Sequence, residues 1–330
     1  MRMTALLLLA ACSDKATTDR VNSDKVITDT SGTDSSGTDS SVSPDDSVPN
    51  TLECPSEGCP GSSECLATAQ SGDPNRFTLR AALMDITRPP TLASGIMNSV
   101  IEGAVGMNLT SCGLSGQATW NLLFGFDLAA GTIHLSSAMP VADGVGPWTP
   151  LSATIGGFAV SPRAMSGTVD GSGQISGELS SANLAIFLDQ AGTRVVVLPL
   201  QRITLSGLLS SDHECIGSYN AEELADVDCV VDAAHPAFTS GGTLSGLISL
   251  EDADAVVVNE VNESLCVLLS GDPSTYGDGG SPQRCRRDGN QAIQFAGDWC
   301  IATNAAATAE CSDAMAISFD FTANAVAVAQ

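Results

Sequence analysis

Every second position from Ala118 to Leu128 is apolar: Ala118, Trp120, Leu122, Phe124, Phe126 and Leu128. Alternation with a period of two marks a strand that turns one face to a core. Ala129-Ala130-Gly131 turns this strand into a second one over Thr132–Ala138. The same texture predicts strands at Phe77–Ile86, Leu151–Val160, Ala164–Val169, Gln174–Leu188, Arg194–Leu209 and Thr243–Ser249. Asp170-Gly171-Ser172-Gly173 has the residues of a tight hairpin between two of them. Val195–Leu198 is apolar on both faces, and Pro199, lacking an N–H, requires an edge or a bulge there. Met315–Asn324 alternates again, with Ile317, Phe319 and Phe321 inward and Ser318, Asp320 and Thr322 outward. That last strand is expected to re-enter the meander.

Helical spacing is rarer. Leu92, Ile96, Val100 and Ala104 fall at intervals of four, which predicts a helix from Thr91 to Gly106. Asn220-Ala221-Glu222-Glu223 reads as a capping box opening a short helix. Ser249-Leu250-Glu251-Asp252 starts another, to Val258, and more helix is expected around Asn262–Leu269. Tyr276–Arg287 reads as loop. The expected class is mainly β (α+β): an antiparallel meander sheet, curled or barrel-like, with two or three short helices and several disulfides.

Residues 13–50 have neither period. From Ser13 a five-residue unit repeats, SDKAT, TDRVN, SDKVI, TDTSG, TDSSG, TDSSV, with an aspartate in each of its six copies. No copy offers an apolar residue at a fixed position, so stacking the repeats would bury nothing. Low hydrophobicity and repeated like charge predict a solvated tether reaching about 35 Å. Before it, Arg2 precedes the short apolar run Ala5–Ala11, which ends Leu9-Ala10-Ala11-Cys12. Seven apolar residues suit a signal peptide but not a membrane crossing, which takes about 20. Met1–Cys12 resembles a bacterial lipoprotein signal with its lipobox. The resemblance implies cleavage after residue 11 and diacylglyceryl and fatty-acyl chains (palmitate among them) on Cys12. It also implies an outer-membrane address, since Ser13 and Asp14 follow the cysteine. Two or three acyl chains give stable anchoring where one is marginal. The organisation expected is a signal peptide at 1–11, lipidated Cys12 and tether at 12–50, a Cys-rich cap at 51–75, and a disulfide-braced mainly-β domain at 76–330.

Composition narrows the function classes. A formal charge of −25 argues against nucleic acid, and both lysines, Lys15 and Lys25, lie in the tether. Without a domain lysine there is no phosphate-loop or Schiff-base chemistry to assign. No serine has glycine two residues away on both sides, so the hydrolase elbow is missing. Beyond Cys12 the cysteines number ten: Cys54, Cys59, Cys65, Cys112, Cys215, Cys229, Cys266, Cys285, Cys300 and Cys311. An even set in an exported chain predicts disulfides, whereas zinc would require tighter Cys or Cys/His spacing. The expected pairs are Cys215–Cys229, and two within Cys266, Cys285, Cys300 and Cys311.

Three histidines remain. His134 lies in a strand on the face opposite Ile133 and is expected half-exposed; His213 neighbours Asp212 and Glu214, and His235 is in a loop. Between Arg202 and Arg284 stand fourteen acids and no Lys or Arg. Asp226, Asp228 and Asp232 within it are the candidate calcium ligands, against the plainer reading of a solvated acidic face. Arg284-Cys285-Arg286-Arg287 is expected to pair with that face, with anion capture as its other reading. These features point to a lipid-anchored envelope protein, structural or partner-binding and not an enzyme. Its partners would be the membrane, through the anchor, and a protein or apolar ligand. The alternatives are a carrier of lipid in a cavity lined by Trp120, Leu122, Phe124 and Phe126, and a hydrolase whose site the sequence hides.

Overall fold

Alternation governs the fold observed. The structure, a computed structural model, describes residues 65, 68–69, 72–90, 92–93, 101, 103–106, 117–141, 146–219, 238–270 and 280–329. Eight long strands organise them: β1 (Arg76–Arg88), β2 (Asn121–Asp127), β3 (Thr132–Ala138), β4 (Arg163–Val169), β5 (Gln174–Phe187), β6 (Val195–Leu208), β7 (Gly242–Ser249) and β8 (Ala314–Ala325). Each pairs antiparallel with the next in sequence. β8 also pairs with β1, from Leu79↔Ala325 to Arg88↔Ser318, so the hydrogen-bonded path returns to its start. The expected mainly-β meander is thus a ring of strands, and the last strand is the one that closes it.

Inward positions form one continuous core. Phe124 stacks on Phe321 at 4.9 Å, Phe77 on Phe126 at 4.8 Å, and Trp120 meets Phe319 edge-on at 5.7 Å. Each such pair adds about 0.5–1.5 kcal/mol beyond its buried area. Between β4 and β5 the Asp170 carboxylate accepts from the Ser172 N–H (2.8 Å), the Ser172 hydroxyl (2.6 Å) and the Gln174 N–H (3.0 Å). The Ser172 hydroxyl bond leads in holding its pKa below the ordinary value. Gly173, at φ +85°, completes the turn.

Several expectations are corrected. Leu151–Val160 is not one strand but a small hairpin, Ala153–Ile155 with Phe158–Val160, because Gly156 and Gly157 both take positive φ. Ala118 is not on the inward face of β2. It precedes the strand at φ +46° and packs outside the ring with Leu123, Ala138, Trp148 and Val326. Pro199 sits opposite Asn183 in β6, beyond Gln201, where pairing with β7 ends. Its missing N–H therefore breaks no ladder bond, and the bulge falls nearby at Arg202, φ +48°.

Among the described residues the helix after β7 is shorter than expected. Of the helix expected from Thr91, residues 101 and 103–105 are described as helical and Thr91 itself lies outside the described residues. Its last carbonyls dock onto the approach to β2, Gln117 N donating to Gly103 O (2.7 Å) and Trp120 N to Ala104 O (2.9 Å). This satisfies acceptors that a helix end leaves open. α1 (Leu250–Ala255) begins where expected, its Ser249 cap accepting from Asp252 N, but ends at Ala255. Val257–Val258 instead pairs with Glu263–Ser264, and α2 (Leu265–Ser270) follows. The helix expected at Asn220 lies outside the described residues.

Three disulfides brace the loops: Cys65–Cys215, Cys266–Cys285 and Cys300–Cys311. The last two bear out the pairing expected among those four cysteines. Cys215 does not pair with Cys229; it reaches back to Cys65 across a sequence separation of 150, which short-loop reasoning cannot foresee. Closing so long a loop constrains the unfolded chain by about 5 kcal/mol. Cys54, Cys59, Cys112 and Cys229 lie outside the described residues, as do the anchor and tether. Among the described residues no helix is long and apolar enough to cross a membrane.

Candidate functional site

Of the residues singled out in the sequence, Cys12, Asp226, Asp228, Asp232 and His235 lie outside the described residues. His213 is described, and it clasps a loop. Its ring stacks on Phe77 at 4.9 Å, and Nδ1 lies 2.9 Å from the Pro74 carbonyl. Burial pulls the neighbouring Asp212 carboxyl up, but the Ser210 hydroxyl (2.5 Å) and the Glu214 N–H (3.1 Å) outweigh it, leaving the pKa below its ordinary value.

The basic cluster pairs with acids, as expected, through Arg287. That guanidinium bonds Glu251 at 3.0 and 2.8 Å and the buried Asp254 at 2.8 Å. Both carboxylates, through these side-chain bonds, raise the Arg287 pKa above its ordinary value. Asp254 also accepts from the Ser264 hydroxyl (2.9 Å) and the Cys285 N–H (2.8 Å), tying α1 to the strand before α2 and to the arginine loop. Asp254, Cys266 and Cys285 group closely enough to hold a metal, but their two sulfurs are bonded to each other and have no lone thiolate to give. The same holds for Cys300 and Cys311 beside Asp313.

The outer face of β1–β3 is different. At one end Arg80 is fully buried. Nε donates to Asn121 Oδ1 (2.7 Å), and the two terminal nitrogens to the carbonyls of Ala81 (2.8 Å) and Val105 (2.6 Å). The Trp148 ring lies 4.7 Å above it. Loss of water lowers the Arg80 pKa to about 9. Its acceptors are all neutral, one of them near the end of the 101–105 helical turn, where partial negative charge gathers. Trp148 is held in turn by the end of the chain, its N–H donating to Ala327 O (2.9 Å) and its carbonyl accepting from Ala329 N (2.8 Å).

Beside this tied half a cleft of about 550 Å³ opens over the same strands. One cross-strand row of its floor is Thr78, Gly125, His134, and the next contains Leu123 and Ser136. Arg76 and Asp127 form an ion pair at one end, 3.0 Å apart. Pro150, Pro162 and Val328 contribute walls. His134 is exposed, as expected, and Ile133 beside it is buried. Ser136 is only 5 % exposed, and among the described residues its hydroxyl has no hydrogen-bond partner. A second cleft of about 560 Å³ lies between the small hairpin and the end of α1, with Ile155, Phe158, Val195 and Val257 on its walls.

Sequence reasoning places His134 on the outward face without assigning it a role, and misses Arg80, Gly125 and Ser136. Gly125 had a readable signal, a glycine in the middle of a well-patterned strand. Compared with known proteins, the chain matches no family model, no curated protein and no solved structure.

Proposed function

We propose that this is a lipid-anchored protein of the bacterial envelope, held to the outer membrane through Cys12 and standing off it on the Ser/Thr/Asp tether. Its folded part is a rigid, disulfide-braced module with a binding or structural role and no catalysis of its own. The observation that carries the binding role is the filled ring. Trp120, Leu122, Phe124 and Phe126 are at most 3 % exposed and pack against Phe77, Phe319 and Phe321. A lipid carried inside would have to displace these stacks. Recognition chemistry is left to the outer face. Three buried or half-buried disulfides support the exported setting, since such bonds persist in oxidising compartments.

Two measurements test the proposal separately. Metabolic labelling with a fatty acid marks the wild-type chain and leaves Cys12→Ser unmarked; equal labelling or equal membrane fractionation of both forms contradicts the anchor. Native mass spectrometry of the purified chain gives the polypeptide mass plus its acyl chains. A further stoichiometric lipid, released only on unfolding, contradicts the filled ring.

A further inference from the structure

Six glycines lie in the strands of the ring, and five of them are explained by packing. A Cβ on Gly167 would stand 2.6 Å from Ile133 Cδ1, on Gly177 2.7 Å from Met165 Sδ, and on Gly242 2.5 Å from Phe321 Cζ. On Gly207 and Gly246 it would press against backbone oxygens at 3.1 and 3.3 Å. Gly125 is the exception. Its Cβ would meet His134 Cβ at 3.5 Å, Thr78 Oγ1 at 3.7 Å and the His134 carbonyl oxygen at 3.9 Å, ordinary contacts, and its φ is not in the left-handed region. Glycine in a strand interior loses packing and entropy. No contact within the fold compensates for that loss at Gly125.

What Gly125 does provide is a slot. It lies between Thr78 and His134 in one row, whose backbones are two strand spacings, about 9.6 Å, apart. With no side chain between them, a flat group can reach the sheet backbone. Ser136, one row along, is a residue only 5 % exposed, and its hydroxyl lines the same cleft and makes no hydrogen bond among the described residues. That hydroxyl keeps contact with the cleft, so water or a ligand hydroxyl can complete it from that side. The two observations are independent, and both open into the same volume.

The chemistry of the lining selects the ligand class. Ser136 and Thr78 hydroxyls and the His134 imidazole each both donate and accept, as the hydroxyls of a sugar do. The charges at the end of the cleft, Arg76 and Asp127, neutralise each other. An anion would have to approach a chain of formal charge −25. Leu123, Pro150, Pro162 and Val328 supply apolar surface for the C–H face of a ring. At about 550 Å³ the cleft is of ligand-site size. We infer that the outer cleft over Gly125 binds a neutral saccharide, one pyranose ring lying on the glycine between Thr78 and His134 with a hydroxyl bonded to Ser136. This names the ligand class of the binding role proposed above and rests on that role, but not on the anchor.

The test uses the full chain on an array of immobilised neutral hexose and N-acetylhexosamine oligosaccharides, with uronic-acid oligosaccharides as the acidic arm. The tightest neutral oligosaccharide is then titrated calorimetrically. Binding to neutral spots is expected, weakened tenfold or more by Gly125→Ala, which fills the slot, and by Ser136→Ala. Both variants are expected to melt like the parent, and Ser136→Ala stands alone should Gly125→Ala fold poorly. Ala159→Thr, on the small hairpin, is expected to bind like wild type. No neutral binding at millimolar concentration, binding only to acidic spots, or neutral binding indifferent to both cleft variants overturns the inference. Each of those outcomes leaves the fatty-acid labelling of Cys12 and the lipid-free mass untouched, so failure of the cleft and failure of the anchor are told apart.

Discussion

The same three strands, β1 to β3, present two unlike faces. Inside the ring, alternate residues are large, apolar and interlocked, and Phe124 touches Phe321 from two strands away. Outside, the intervening residues are Thr78, Gly125, His134 and Ser136, small or polar and without hydrogen bonds to one another among the described residues. The Arg80 end of the outer face is tied down by three hydrogen bonds and the Trp148 ring, and the far end by the Arg76–Asp127 ion pair. Packing density accounts for the apolar groups of the first face, while the second keeps polar groups and open volume that packing leaves over. Where a strand holds residues the fold does not need, binding is the economical explanation.

This contrast can be broken by mutation. Phe124→Ala should destabilise the chain most, by about 3–5 kcal/mol in a urea titration, because it combines lost transfer energy with a cavity in the aromatic stack. Arg80→Ala comes next, at about 2–4 kcal/mol, since Asn121 Oδ1 and the Val105 carbonyl lose their donor where water cannot replace it. Gly167→Ala should cost about 1–3 kcal/mol by forcing Ile133 aside. Gly125→Ala, the same change two strands away, should instead leave stability unchanged or raise it by about 0.5 kcal/mol. His134→Ala should stay within about 0.5 kcal/mol of wild type. An outer-face result as large as the Phe124 one would erase the distinction.

The smallest effect concerns pH. In the β5–β6 turn the Thr193 hydroxyl bonds Asp189 at 2.5 Å and, ahead of its other bonds, holds that carboxyl below the ordinary value. A carboxyl whose folded pKa is lowered adds stability that is complete above its unfolded pKa and is lost as pH falls through the folded one. Thr193→Ala should therefore move the Asp189 carboxyl-carbon titration upward in NMR and leave the turn less stable at neutral pH than in wild type. An unmoved titration would show that the hydroxyl bond does not set it.

The ring strands were legible because alternation is a local signal, and β2, β5 and β8 came within a few residues of their observed limits. Return of the last strand to the meander is legible too, but not which strand takes it, since the pairing of β8 with β1 joins Ala325 to Leu79 across most of the domain. Cys65–Cys215 eluded reading for the same reason: contact at a separation of 150 has no local trace. The small hairpin reads as one strand unless Gly156-Gly157, both at positive φ, is taken as its turn. At the cleft, His134 stood out by residue type and its outward parity was read correctly. Ser136 looked like any strand serine, and only its burial without a partner gives it meaning. Gly125 could have been questioned from sequence, but telling it from Gly167 or Gly177 takes the neighbours that the fold brings up.

The most direct test of an outer cleft on a filled ring is an NMR titration of the full chain with the array-selected neutral oligosaccharide. The His134 imidazole and Gly125 amide resonances should shift together with added sugar, while the ring protons of Phe124 and Phe321 stay in place. Shifts in the inner aromatic stack with His134 and Gly125 unmoved would contradict the account.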